Sequence, residues 1–198
     1  MSDPTTISFY EENAEAFCTQ TLNVDMSALY QKFLAHLPIG GHILDAGCGS
    51  GRDAKAFLDK GFKVSAFDAS ASLASKASTL IGREVRCCRF DEIIEVEVFD
   101  GIWACASLLH VRQSELQAAV ASLAGSLRKG GAFYASFKKG AGERADANGR
   151  HFTDMSLEAI ERLISHTGGL ELVEAWETRD QRPGREDELW LNFIASKC

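Results

Sequence analysis

The sequence predicts an α/β fold, a largely parallel β-sheet covered by helices, and three observations carry that prediction. From Gly40 onward strand-like and helix-like segments alternate, the order that builds parallel strands joined by crossover helices. Several strand-like runs are apolar at consecutive positions, as strands buried on both faces are. The last two strand-like runs are separated by a polar stretch, 178–187, for which an antiparallel hairpin is the simplest connection.

The first helix placed by its apolar side is 27–36, where Leu29, Phe33, Leu34 and Leu37 share one face and Pro38-Ile39-Gly40-Gly41 stops it. Ahead of it, the amphipathic, aromatic stretch 9–17 either folds over the ligand-binding edge of the sheet or packs as an extra helix. Strands are expected at 42–46, 62–67, 84–88, 100–106 and 131–137, with helices at 52–60, 70–80 and 113–128 between them. In the last of these helices Leu116, Val120, Leu123 and Leu127 form a single apolar stripe that packs on the sheet. Gly61 after Asp59-Lys60, and Gly130-Gly131 after Arg128-Lys129, read as helix stops. Residues 138–150 are rich in Gly and charge and read as a polar loop of about a dozen residues, a length often used for lids. A helix at 156–167 and strands at 170–177 and 188–195 complete the order.

A length of 198 residues suits one domain, with 1–40 as an N-terminal helical cap and 41–198 as the core. The 45% apolar and 25% charged fractions exclude a disordered, collagenous or disulfide-scaffold chain. With 28 acids against 21 bases the net charge is −7, which disfavours nucleic acid or an acidic membrane as partner and leaves small-molecule chemistry. No apolar run approaches the roughly 20 residues that span a bilayer, and Met1-Ser2-Asp3-Pro4 lacks the features of a signal peptide, so a cytoplasmic protein is expected, monomeric by default. The six cysteines form no CxxC pair and mostly sit in apolar runs, which indicates neither a metal site nor a disulfide framework.

The chemically informative stretch is Ile43-Leu44-Asp45-Ala46-Gly47-Cys48-Gly49-Ser50-Gly51-Arg52-Asp53, an apolar strand that passes through an acid into alternating glycines and then a helix. Glycines let the backbone turn tightly and approach a ligand, and the helix start presents free N–H groups, so a nucleotide-like ligand is expected there. Asp68, at the end of the second strand, is placed to accept hydrogen bonds from both hydroxyls of a ribose; it also suits a cap for the helix beginning near Ser70. Gly49-x-Gly51-x-x-Ala54 satisfies the dinucleotide fingerprint too, which keeps a nicotinamide-dependent oxidoreductase open. Against a dinucleotide, Asp45 would meet a pyrophosphate with like charge, and Arg52 stands where Gly47-x-Gly49 would need a third small residue. A cationic ligand fits better: S-adenosylmethionine carries a sulfonium, an ammonium and a ribose, and no phosphate.

The run Leu44-Asp45-x-Gly47-x-Gly49-x-Gly51 with Asp68, Phe90-Asp91 and Phe99-Asp100-Gly101-Ile102-Trp103 resembles a class I S-adenosylmethionine-dependent methyltransferase over residues 40–137. With Asn23-Val24-Asp25-Met26-Ser27 upstream and Gly149-Arg150-His151-Phe152-Thr153 downstream, the wider pattern is similar to the small tellurite-resistance-type and generic methyltransferase-domain proteins. The resemblance implies a Rossmann-like seven-stranded mixed sheet of order 3-2-1-4-5-7-6, strand seven antiparallel, with helices on both faces. It implies S-adenosylmethionine as cofactor and S-adenosylhomocysteine as product. Asp45, Gly47, Gly49 and Gly51 would line the methionine part, Asp68 the ribose, and Asp91 the adenine amino group with Phe90 or neighbouring backbone alongside, with Cys48, Ser50, Arg52, Ala69 and Ser70 as further cofactor-binding residues. Residues 105–107, Cys105 and Ala106 among them, would floor the site.

His110, after the fourth strand, is the candidate catalytic base, with a wall or helix-start role as its alternative. Tyr10, Arg150, His151 and Phe152 would lie at the acceptor mouth and select a small acceptor, an anionic one included. Cys48 and Cys105 are read as packing, because the methyl group passes straight from sulfonium to acceptor. The Asn/Asp-Pro-Pro-aromatic run of amino-adenine methylation is missing after strand four, where the chain reads Ala104-Cys105-Ala106-Ser107-Leu108. The rivals are a non-catalytic S-adenosylmethionine-binding module, an NAD(P)-dependent oxidoreductase and a methyltransferase acting on protein.

Overall fold

The computed structural model describes residues 3–182, 184, 185 and 187–198. Three helices come first: α1 (Pro4–Glu12), α2 (Ala14–Thr21) and α3 (Ser27–Leu34). They are followed by β1 (His42–Ala46), α4 (Arg52–Asp59), β2 (Lys63–Asp68), α5 (Ala71–Ile81), β3 (Arg86–Cys87) and β4 (Phe99–Ala104). The rest is α6 (Gln113–Ser126), β5 (Leu127–Lys138), β6 (Gly142–Ala145), β7 (His151–Asp154), α7 (Leu157–Thr167), β8 (Leu170–Arg179) and β9 (Leu189–Lys197). Among the described residues no helix is long and apolar enough to cross a membrane.

Seven strands form one sheet in the order β3-β2-β1-β4-β5-β9-β8. The pairs from β3 to β5 are parallel, whereas β9 runs antiparallel to both neighbours. Counting only the strands of this sheet, that is the expected 3-2-1-4-5-7-6 order with its last strand reversed. Alternate residues of the central strands feed two cores, as the period of a strand requires. Leu44, Ile102, Phe133 and Phe193 pack with α6 and α7 on one face, and Ile43, Trp103, Tyr134 and Ile194 with α3, α4 and α5 on the other. The parallel strands therefore end together on one edge, where the β1–α4 and β2–α5 turns meet; ligands of open α/β sheets bind at such edges.

Several boundaries differ from expectation, each for a local reason. The stretch 138–150 is not a plain loop: β6 pairs antiparallel with β7, from Gly142 opposite Asp154 to Ala145 opposite His151. All four residues of β6 are exposed, so it has no apolar alternation to announce it. Its turn is made by Asp146, whose carboxylate accepts from the backbone N–H groups of Asn148 and Arg150, both at 2.9 Å. Helix α6 ends at Ser126 and Gly130-Gly131 lies within β5, next to a register shift against β4, instead of closing the helix. The third strand shrinks to Arg86 and Cys87. Residues 9–17 are divided between α1 and α2, which break at Asn13.

Candidate active site

The β1–α4 turn, the ends of β2 and β4, helices α1 and α2, the β6–β7 hairpin and the start of β9 enclose a cavity of about 900 Å³. Gly47, Cys48, Gly49, Ser50 and Arg52 line it, with Asp68, Ala69 and Ser70 beside them. Gly47 and Gly49 hold φ values of +77° and +54°, which side chains resist, and the space is filled besides. A Cβ on Gly47 would lie 2.6 Å from that of Ser107, and one on Gly49 would lie 2.9 Å from the Phe17 ring. Gly51 is off the cavity wall and lets α4 approach Ala77 of α5.

Asp68 sits on the wall with two lone-pair directions already used, accepting from Gly49 N–H at 2.8 Å and Ser70 N–H at 2.9 Å. Burial pushes its carboxyl above the ordinary value. The cap of α5 is Ser70, whose hydroxyl accepts from Leu73 N–H, so the carboxylate of Asp68 keeps capacity for a ligand. Ser70 also donates to Glu11 of α1, which accepts further bonds from the N–H and hydroxyl of Ser72.

Asp45 is placed differently from expectation. It lies beneath the turn, 2% exposed and absent from the cavity wall, with its Oδ2 accepting from Ala54 N–H at 3.0 Å. Burial and then the neighbouring charge of Asp53 drive its carboxyl well above the ordinary range. Asp91 is also off the wall, in a short turn with its side chain 43% exposed and Arg89 4.0 Å away; Cys88, Arg89 and Phe90 line the cavity there instead. Cys105 and Ala106 are on the wall as expected, Ala106 with a φ of +53° that marks local strain, its N–H held by Ser136 Oγ at 2.9 Å. Burial raises both thiols, that of Cys105 to about 12, so neither Cys48 nor Cys105 is a thiolate at neutral pH.

At the other end of the cavity His110 and Tyr10 meet. His110 Nδ1 lies 2.7 Å from the His151 carbonyl, which can only accept, so Nδ1 carries the proton and Nε2 is the acceptor for the Tyr10 hydroxyl at 2.9 Å. Burial lowers the imidazole to about 4 and keeps it neutral. Burial likewise raises the Tyr10 phenol, although Arg150 Nη1 donates to it at 3.3 Å. Arg150 and Phe152 line the cavity; the His151 side chain does not, and it serves through its backbone.

The basic residues gathered here are paired. Arg150 donates from Nε and Nη2 to one oxygen of Asp146, Oδ2, at 2.9 and 2.7 Å, and its guanidinium lies over Phe9, Tyr10 and Phe152. Arg144 is held by Asp154, Arg182 by Asp180, and Lys138 by Asp180 and Glu188. Arg150 thus offers the cavity a flat, charge-compensated plate.

Sequence reading missed one constellation on the wall, centred on Asp53. Its carboxylate accepts from Arg52 Nε (2.6 Å) and Nη2 (3.0 Å), the Tyr30 hydroxyl (2.5 Å) and Trp103 Nε1 (2.8 Å). Burial opposes its charge, but Arg52 and the other donors prevail and hold the carboxyl below the ordinary value. Of the two buried acids, Asp45 with one donor therefore takes a proton before Asp53 with four. The signal available was an Arg-Asp pair opening an amphipathic helix directly after the glycines. Tyr30 and Trp103, distant in sequence, offered none.

Residues 43–131 match the family model described as a methyltransferase domain. A 1,6-didemethyltoxoflavin-N1-methyltransferase from Burkholderia thailandensis, solved with 1,6-didemethyltoxoflavin and S-adenosylhomocysteine, is 23% identical with a TM-score of 0.76, over 96% of this chain and 84% of that one. A TehB-like S-adenosylmethionine-dependent methyltransferase from Corynebacterium glutamicum is 21% identical with a TM-score of 0.69, over 99% and 100%. The magnesium protoporphyrin IX methyltransferase of Synechocystis is 15% identical with a TM-score of 0.72, over 100% and 99%. No curated protein matches the chain significantly.

Proposed function

We propose that this chain, an S-adenosylmethionine-dependent methyltransferase by its matched domain and its class I fold, passes the methyl group to a small-molecule acceptor by direct in-line displacement. The observation that carries the reading is one cavity of about 900 Å³ that runs from the glycine turn and Asp68 to Tyr10, His110 and Phe152. Its size is that of a small-molecule site, and helices α1 and α2 line one side of it.

The residues fit the cofactor by shape and by donor chemistry. Asp68 offers its free lone pairs to the ribose hydroxyls, and Cys88, Arg89 and Phe90 flank the adenine. The turn backbone at 47–50 and Arg52 face the amino-acid part, with Cys105 and Ala106 as floor. Asp45 acts from beneath, its field favouring a cation at the turn. S-adenosylmethionine supplies a methyl carbon already activated by its sulfonium, so the protein's work is to position the acceptor and exclude water. Tyr10 and Phe152 wall the acceptor chamber. A proton leaving the acceptor reaches His110 through the Tyr10 hydroxyl, since that hydroxyl occupies the imidazole lone pair.

Calorimetric titration with S-adenosylhomocysteine beside NAD, followed by a methyl-transfer screen over a metabolite library, tests the reading. Binding of the first nucleoside and transfer to a small acceptor are expected. Binding of NAD alone overturns the cofactor, and binding without transfer to any small acceptor overturns the activity.

A further inference from the structure

We propose that Arg52 is a specificity-determining residue that recognises the amino-acid tail of the cofactor and, through the same guanidinium, holds the N-terminal helices closed. This rests on the S-adenosylmethionine reading above.

Arg52 is the first residue of α4, lines the cavity and has a side chain only 19% exposed. Its plane is fixed from one side, because Nε and Nη2 chelate Asp53 and Asp53 is itself pinned by Tyr30 and Trp103. Its Nη1 donates to the backbone carbonyl of Thr21, the last residue of α2, at a long 3.3 Å. Three of the five guanidinium N–H groups are used in these bonds, and the remainder can take a ligand carboxylate without breaking any of them.

The docking of α2 is concentrated on the same turn. Thr21 Oγ1 lies 3.2 Å from Ser50 Oγ, and Phe17 packs where only a glycine at 49 leaves room. The end of the helix therefore touches Gly49, Ser50 and Arg52 in succession, the residues placed against the amino-acid part of the cofactor. A carboxylate that completes the guanidinium's bonds removes its remaining freedom and with it the freedom of the bond to Thr21. Linkage makes the effect reciprocal: whatever the tail adds to closure, closure adds to binding of the tail. An adenosine without that tail fills the nucleoside end and leaves the clamp loose.

The probes are S-adenosylhomocysteine and 5′-methylthioadenosine, which share adenosine and thioether and differ by the amino-acid tail. Calorimetry measures affinity and hydrogen exchange follows residues 4–21, both on the full chain. In the wild-type protein S-adenosylhomocysteine is expected to bind at least roughly tenfold more tightly and to slow exchange in 4–21, with 5′-methylthioadenosine leaving exchange unchanged. Arg52→Met is expected to abolish both the preference and the protection while 5′-methylthioadenosine binds as before. Arg52→Lys keeps the charge but lacks the fork that spans Asp53 and Thr21 together, so part of the preference returns and the protection does not. Equal protection by the two nucleosides, or full protection in Arg52→Lys, overturns the proposal. Failure of both nucleosides to bind the wild-type chain defeats instead the cofactor reading and the proposal with it.

Discussion

Asp53→Asn is the most informative single perturbation of this structure. The carboxylate is 6% exposed and each oxygen accepts two bonds, Oδ1 from Tyr30 and Arg52 Nε, Oδ2 from Trp103 and Arg52 Nη2. An amide has one acceptor oxygen and an NH2 that only donates. Turned toward Trp103, the NH2 opposes two donors that cannot reverse; turned toward Tyr30, it opposes Arg52 Nε while the phenol reverses and accepts. The second orientation is preferred, and it leaves Arg52 buried without its counter-charge. Breaking one partner of a buried ion pair costs about 3–5 kcal/mol, and relief of the repulsion between Asp45 and Asp53 returns part, so about 3 kcal/mol is expected.

For a chain of this length that loss corresponds to roughly 6–12 °C in Tm, and urea denaturation at neutral pH measures it directly. A cycle with Arg52→Met separates the pair from the site, because the double variant should be less destabilised than the two singles summed. The pH arm has a definite sign. A carboxyl lowered in the folded state contributes stability present above its unfolded value and lost as pH falls through the folded one. The gap between wild type and Asp53→Asn should therefore narrow in acid. A loss under about 1 kcal/mol, or additive singles, would refute the ion-pair account.

Asp45→Asn should act in the opposite sense: its carboxyl is raised in the fold, so wild type loses stability as pH climbs above the unfolded value of 3.8, and the variant should gain on it toward neutral pH in denaturant titrations. The same variant should bind S-adenosylmethionine more weakly by calorimetry; a variant less stable at neutral pH contradicts the assignment. Tyr10→Phe and His110→Gln should each lower kcat at least roughly tenfold on the acceptor found by screening, with S-adenosylhomocysteine affinity unchanged. Loss in His110→Gln alone would make the imidazole act without the phenol, and loss in neither would reject a proton path. Glu11→Gln weakens the seam between α1 and α5, and stopped-flow release of S-adenosylhomocysteine should quicken by roughly two- to fivefold, the worth of an exposed charged contact. An unchanged release rate would place the moving segment elsewhere.

What was legible in the sequence follows from which residues carry a local signal. The central strands β1, β4 and β5 announce themselves because their consecutive buried positions must be apolar, whereas β3, only Arg86 and Cys87, is not buried; the glycine turn shows because only glycine suits positions 47 and 49. The β6–β7 hairpin was not legible: its first strand is fully exposed and held by the Asp146 turn and the Arg144–Asp154 pair instead of a core. Acids at strand ends signalled the site but not their own reach. Asp68 is on the wall, held by the N–H groups of Gly49 and Ser70, whereas Asp45 is one layer below it, taken by Ala54 N–H, and Asp91 is turned outward beside Arg89. The Asp53 cluster could not be read because Tyr30 and Trp103 converge on it only after α3 and β4 pack on the same side of the sheet.

The charge pattern along the cavity ties these particulars to turnover. At the glycine end Asp53 and Asp68 line the wall with Arg52, and Asp45 lies buried beneath the turn, so acids outnumber the base where a sulfonium and an ammonium would lie. At the far end Lys138, Arg144, Arg150 and Arg182 each lie against a carboxylate, which offsets their charge on the acceptor side. Methyl transfer removes the sulfonium charge, and the negative wall then holds the product less firmly than it held the substrate.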